Sequence, residues 1–252
     1  MFEPKIEADK LHKALKAGGI DKGAIIEIST THTNSQRLQI RESYKSVYGV
    51  DLIDSFKSEL SGHFKDTLIS LYYHPIDYDC LSLRSAMKGL GTDEDTLIEI
   101  IATRPNYILK KILEKYPQLT EGRDLISDVK GDTSGAFRRL LVSLLQEQRS
   151  VNINPNLEEC KKIANELYEA GEKKWGTDDS VFNRVFATKS PIEISYISRA
   201  YHKLTGRTIL QAINNEFSGD MKKLLIAIVY AVISPSEFFA TKVNKAVKGL
   251  GT

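Results

Sequence analysis

Ala86-Met87-Lys88-Gly89-Leu90-Gly91-Thr92-Asp93-Glu94 is a glycine-rich break between two apolar stretches, and Gly131-Asp132-Thr133-Ser134-Gly135 is a second break with a carboxylate inside it. Leu81, Ala86 and Met87 stand before the first break, and Leu97, Ile98 and Ile101 after it fall at three- and four-residue steps. That period predicts a helix on each side of the loop. Thr92 with Asp95 predicts a capping box at the start of the second helix.

The pair of breaks is repeated along the chain. Gly91-Thr92-Asp93 returns as Gly176-Thr177-Asp178, as Gly251-Thr252 at the end of the sequence and, altered, as Gly19-Ile20-Asp21. From Ile20, Thr92 and Thr177 the carboxylates Glu59, Asp132 and Glu216 lie 39, 40 and 39 residues on, and Ser-Gly follows each as Ser61-Gly62, Ser134-Gly135 and Ser218-Gly219. His32, Arg104 and Lys189 share one offset, Tyr44, Tyr116 and Tyr201 another, and Leu68, Leu141 and Leu225 a third. Self-similarity at a fixed period identifies a repeat architecture. Strand signals are scarce. Breaks at 89–91, Arg104-Pro105, 117–122 and 131–135 divide the second repeat into about five short helices. The expected fold is all-α: a repeat over 1–75, a second over 76–148, a polar linker at 149–158, a third repeat over 159–233, and a partial fourth over 234–252 comprising only the first helix and loop.

Calcium takes six to eight oxygen ligands and accepts backbone carbonyls together with a bidentate carboxylate. A glycine-rich turn is suited to aiming carbonyls at one point, because glycine permits backbone angles closed to other residues. A carboxylate from a second turn completes such a site and leaves positions open for water or a phosphate oxygen. A lone Gly-Leu-Gly-Thr is more often a helix end followed by a helix start. The recurring distal acid is what favours a metal.

The stretch 86–94 followed by 131–135 resembles an annexin repeat, and the resemblance covers almost the whole chain. It implies calcium-dependent binding to anionic, phosphatidylserine-like phospholipid surfaces through loops on a convex face. The ligands it implies in the second repeat are the carbonyls of Met87, Gly89 and Gly91 with the carboxylate of Asp132. The third repeat departs from the pattern as Gly171-Glu172-Lys173-Lys174-Trp175-Gly176-Thr177, a variant that the family also uses, implying Gly171, Lys174 and Gly176 with Glu216. In the first repeat Leu15, Ala17, Gly19 and Glu59 occupy the matching places, with Ala17 for a glycine and Ile20 for the threonine. A weaker or distorted site is expected there. The fourth loop, Val247-Lys248-Gly249-Leu250-Gly251, is followed by no acid in this sequence.

Trp175 is the only tryptophan, and at a loop tip its ring suits the lipid headgroup layer better than the core, as does the side chain of Leu90. Arg104 and its counterparts suit structural ion pairs better than phosphate contacts. The three matching tyrosines read as core residues with hydrogen-bonded hydroxyls.

Composition narrows the remaining classes. The 35 basic and 33 acidic residues nearly balance, and the cations are scattered, which argues against nucleic acid as a partner. Two cysteines, Cys80 and Cys160, make no disulfide framework, and no signal segment opens the chain; a cytoplasmic protein, reversibly on membrane surfaces, is expected. The apolar run Leu224–Ile233 is too short to span a bilayer. Five histidines show no paired metal spacing, neither cysteine lies in a nucleophile motif, and no catalytic constellation is found, so an enzyme is not expected. The alternative is a calcium-independent helical scaffold that binds protein partners. Self-association through the incomplete fourth repeat, by way of Phe238, Phe239 and Val243, is a further expectation, as is the absence of partner recruitment through a long N-terminal tail.

Overall fold

Short polar side chains begin the helices. Asp21, Asp93 and Asp178 sit at equivalent N-caps, and each accepts a hydrogen bond from a backbone N–H of the turn it opens, replacing a partner that the first turn of a helix lacks. Thr33, Ser190 and Thr208 form full capping boxes. Gly49 and Gly206 end two equivalent helices in the left-handed conformation, a conformation that suits glycine best. The capping box expected from Thr92 and Asp95 does not form. Asp93 takes the cap, bonding Thr96 N and Thr96 Oγ1, and Asp95 turns to Lys223 at 3.1 Å and Lys245 at 3.5 Å.

The computed structural model describes residues 2–16, 18–146, 149–173 and 176–248. Its described residues form sixteen helices and no strand. The first repeat holds α1 (Pro4–Lys16), α2 (Lys22–Thr31), α3 (Asn34–Tyr48), α4 (Leu52–Glu59) and α5 (Gly62–Leu71); the second holds α6 (Pro75–Ala86), α7 (Glu94–Thr103), α8 (Asn106–Leu119), α9 (Leu125–Asp132) and α10 (Gly135–Leu145). The third holds α11 (Leu157–Ala170), α12 (Asp179–Thr188), α13 (Pro191–Thr205), α14 (Ile209–Glu216) and α15 (Gly219–Ile233), and α16 (Pro235–Val247) opens a fourth. Three complete five-helix repeats and the start of another match the expected fold. Two details differ from expectation. Pro117 lies inside α8; it falls in the last turn, where its missing N–H removes one helix bond, and the chain turns only at Glu121 and Gly122, both at positive φ. Asn156 caps α11 through Glu158 N and Glu159 N, so the last two residues of the polar stretch 149–158 are helical.

Two compact units result, the first ending at Tyr78 and the second beginning at Asp79. In the first, Leu11, Ile25, Ile40, Leu52 and Phe56 are buried around Tyr44 and Tyr72. Each such aliphatic or aromatic side chain contributes about 1.5–3 kcal/mol by leaving water. Ile6 and Ile26 remain exposed in this unit. In the second, α7 packs on α15, α10 on α12, and α11 on α13. The tyrosines expected in the core are fully buried: Tyr44 Oη meets His12 Nδ1 at 3.1 Å, Tyr116 donates to Asp128 at 2.7 Å, and Tyr201 donates to Glu172 at 2.7 Å. Phe238, expected at a shared surface, is instead buried in the chain with its ring against Phe239. Phe239 and Val243 are exposed. No helix among the described residues is long and apolar enough to cross a membrane.

Candidate calcium-binding loops

One backbone hydrogen bond closes each of the three loops. Asp21 N donates to Ala14 O at 2.9 Å, Asp93 N to Ala86 O at 2.9 Å, and Asp178 N to Ala170 O at 2.8 Å. In the second and third repeats the last carbonyl of one helix is thereby joined to the cap of the next; in the first, where α1 runs on to Lys16, the bond reaches a carbonyl two residues before the helix end. In the second repeat Gly89 and Gly91 absorb the turn at φ 104° and 86°, angles that cost residues with a Cβ about 1–2 kcal/mol. Among the described residues the carbonyls of Met87, Gly89 and Gly91 accept no hydrogen bond. Met87 is buried, and Leu90 at the tip is fully exposed.

The distal turn is tied to this loop by a hydroxyl. Thr92 Oγ1 donates to the backbone carbonyl of Asp132 at 3.1 Å, which brings the end of α9 against the loop. The Asp132 carboxylate is exposed and, among the described residues, has no hydrogen-bond or ion-pair partner. Unbonded carbonyls and a free carboxylate on two turns held together form an oxygen-only donor set, the kind that a hard cation such as Ca2+ takes. The residues of the second repeat fit the ion that the resemblance implies.

The third repeat uses the same tie with a longer loop. Thr177 Oγ1 donates to Glu216 Oε2 at 2.5 Å and lies 3.4 Å from Glu216 O. Gly171 lies close beneath Glu216: a Cβ there would stand 3.3 Å from Glu216 Cγ, a contact that the Glu216 side chain would have to relieve by shifting a few tenths of an ångström. The carbonyls of Gly171 and Gly176 accept no hydrogen bond among the described residues. Lys174 and Trp175 lie outside the described residues, as do Ala17 and the fourth loop from Gly249 onward.

The first repeat is built differently. Ile20 has no hydroxyl to reach the distal turn, and Lys16 Nζ donates to Glu59 Oε1 instead. That bond, followed by the charge of Lys16, holds the Glu59 carboxyl below its ordinary range, and the same bond raises the Lys16 ammonium above its own. Leu15 is buried at the end of α1, and Gly18 and Gly19 take positive φ at 77° and 155°. Lys16 O is engaged by Gly18 N at 2.9 Å. The acid expected to serve an ion is paired with a side chain from its own loop.

The family model for Annexin matches residues 6–71, 78–144 and 163–228. The chain belongs to the annexin family. It is similar to dog annexin A13, 43% identical over 251 residues that span 100% of this chain and 79% of that protein. Among solved structures, chicken annexin V in complex with Zn2+ superposes with a TM-score of 0.92 at 37% identity, covering 100% of this chain and 79% of that one. Calcium-bound annexin (Sm)1 superposes with a TM-score of 0.81 at 32% identity, covering 100% and 75%. Annexins are calcium-dependent phospholipid-binding proteins and are generally not enzymes.

Two supports of this annexin's loops escaped the sequence reading. Glu172, inside the third loop, accepts from Tyr201 at 2.7 Å and from Arg207 at 2.6 Å, so the loop is anchored to α13 and to the turn that follows it. In the second repeat the comparable clamp falls on Asp128 of α9, which Tyr116 and Arg123 both bond. Burial alone would raise Asp128, but the Arg123 and Tyr116 bonds outweigh it and hold the carboxyl below its ordinary range. In the sequence Arg123 follows Tyr116 by seven residues and Arg207 follows Tyr201 by six, whereas no arginine follows Tyr44 in the first repeat. Arg104 pairs with Asp79 through two bonds of 2.8 and 2.9 Å, Lys189 pairs with Glu159 at 2.6 Å, and His32 Nδ1 lies 2.8 Å from Ile28 O.

Proposed function

We propose that this annexin attaches reversibly to anionic, phosphatidylserine-like phospholipid surfaces, as a cytoplasmic protein, through calcium held at its second and third repeats. In this reading the carbonyls of Met87, Gly89 and Gly91 and the carboxylate of Asp132 form one site; Gly171, Lys174 and Gly176 with Glu216 form the other. The observation that carries it is the free Asp132 carboxylate, tied by Thr92 to a loop whose three carbonyls accept no hydrogen bond. When bound, calcium supplies a dication whose remaining positions accept phosphate oxygens from lipid headgroups. The chain's own part is to hold those oxygens in place and to present Leu90, and in the third loop Trp175, to the headgroup layer. Leu15, Ala17, Gly19 and Glu59 form a third, weaker site, because Lys16 must leave Glu59 first.

Lipid and ion binding are then coupled, since each completes the other's coordination. Calcium titration by calorimetry, with and without anionic vesicles, tests this. Tighter calcium binding on the vesicles supports the reading; superimposable curves contradict the bridge and favour a calcium-independent scaffold.

A further inference from the structure

In the second unit two open grooves share one stripe of α13. Ile192, Tyr196, Arg199 and Lys203 recur there at three- and four-residue spacing, which places them on one helix face. The start of the stripe lines a groove of about 900 Å3 together with Tyr107, Lys110 and the segment from Arg149 to Ile153. Its later part lines a groove of about 480 Å3 with Leu157, Lys161 and Leu204. The apolar groups are presented to solvent: Val151 is 85% exposed and Ile153 71%.

The charge on this face is one-sided. Among the described residues no acidic side chain lines either groove. The acids of neighbouring α11 are already engaged, Glu158 with Lys161 at 2.7 Å, Glu159 with Lys189 at 2.6 Å and Glu166 with Arg184 at 2.6 Å. Lys110, Arg149, Arg199 and Lys203, by contrast, have no carboxylate partner among the described residues, and Arg199 only lies over the Tyr196 ring. Arg149 is the extreme case: its Nε and Nη2 are buried with no hydrogen-bond partner, and burial pushes the guanidinium down to about 10. A buried cation without a partner is costly, and a carboxylate brought to it would relieve that cost.

Position decides what meets this face. Leu157 opens α11 and Ala170 closes it at the third loop, about 20 Å away at the helical rise per residue. Lys189, just before α13, meets Glu159 at the start of α11, whereas Tyr201 near the end of α13 reaches Glu172 in the third loop; the larger groove, at the first turn of α13, therefore lies at the end of this helix pair away from the loop and stays open to the aqueous side when the loop docks. Two concave apolar grooves joined by a helical stripe match the anchors of a helix rather than a flat bilayer.

We propose that this face of α13 docks an acidic amphipathic helix of a partner protein, its apolar side chains in the two grooves and its carboxylates on Lys110, Arg149, Arg199 and Lys203. From Ile192 to Lys203 the stripe runs about 17 Å, or roughly three turns.

The probe is a fluorescein-labelled amphipathic helix of about 14 residues, with leucines on one face and flanking glutamates, titrated with the full chain in excess chelator and read by anisotropy. Saturable binding is expected, weaker at higher salt, and weakened about tenfold by Arg199→Glu with Lys203→Glu. Val151→Ser with Ile153→Ser, on the linker, is expected to weaken it without touching a charge. The proposal is overturned if the glutamate peptide does not bind, if a lysine-for-glutamate peptide binds as well, or if the charge variant binds normally while folded by circular dichroism. It is also overturned if the same variants abolish binding of anionic vesicles in chelator or self-association of the chain, which would assign the face to lipid or to a second copy.

Discussion

Lys16 and Glu59, 43 residues apart, form an ion pair inside the first-repeat loop, whereas Lys88, at the place of Lys16 in the second repeat, leaves Asp132 free. The difference follows from one residue. Where Thr92 holds the distal turn by its backbone, the carboxylate stays available; where Ile20 cannot, the longer Glu59 side chain is held by a lysine.

Replacing Lys16 by methionine is expected to release Glu59 and tighten calcium binding at the first repeat. Stoichiometry and affinity from calorimetry check this. An unchanged isotherm would show that the backbone of that loop, and not the ion pair, limits the site.

Thr92→Val removes the tie between the second loop and Asp132. The loss of one such bond costs about 0.5–1.5 kcal/mol, so the calcium concentration for half-maximal vesicle binding is expected to rise several-fold while secondary structure by circular dichroism is kept. No change in that midpoint would remove the tie from the account.

Arg104→Met strands Asp79, whose side chain is 8% exposed. Breaking a buried pair from one side costs about 3–5 kcal/mol, and the melting temperature is expected to fall sharply. Asp79→Asn with Arg104→Met should recover part of the loss. A melting temperature close to wild type for the single variant contradicts this.

Acid stability should depend on Asp128. Its folded-state pKa is lowered, so its contribution is present above the unfolded value of about 3.9 and is lost as pH falls through the folded value. Asp128→Asn, less stable than wild type near neutrality, should therefore lose less stability on acidification below about pH 4. Parallel denaturant midpoints against pH for the two proteins would contradict the assignment.

The fold was readable because repeats leave a periodic trace: matched glycine breaks, acids at 39 or 40 residues, and tyrosines that recur in the buried core. What the sequence did not disclose were choices among polar partners. Thr92 was as well placed to cap a helix as to reach Asp132, and only the packing of α9 against the loop made the second possible. Glu59 and Asp132 share a register, yet Lys16 captures one and Lys88 does not take the other, a distinction that depends on side-chain length and on Ile20. Pro117 resembled a helix end, but a proline in a last turn removes only one bond. The clamps on Glu172 and Asp128 join side chains whose spacing differs between repeats, so no common offset marked them.

The central claim is that Asp132 and its loop carry calcium-dependent attachment to anionic lipid. The most direct measurement is co-sedimentation with phosphatidylserine vesicles across a calcium series, for the wild-type chain and for Asp132→Asn and Glu216→Gln singly and together, with chelator and phosphatidylcholine vesicles as controls. The account predicts binding that appears with calcium, reverses with chelator, requires anionic lipid, shifts to higher calcium in each single variant and is nearly lost in the double. Binding that is equal in all four proteins, or that persists in chelator, would contradict it.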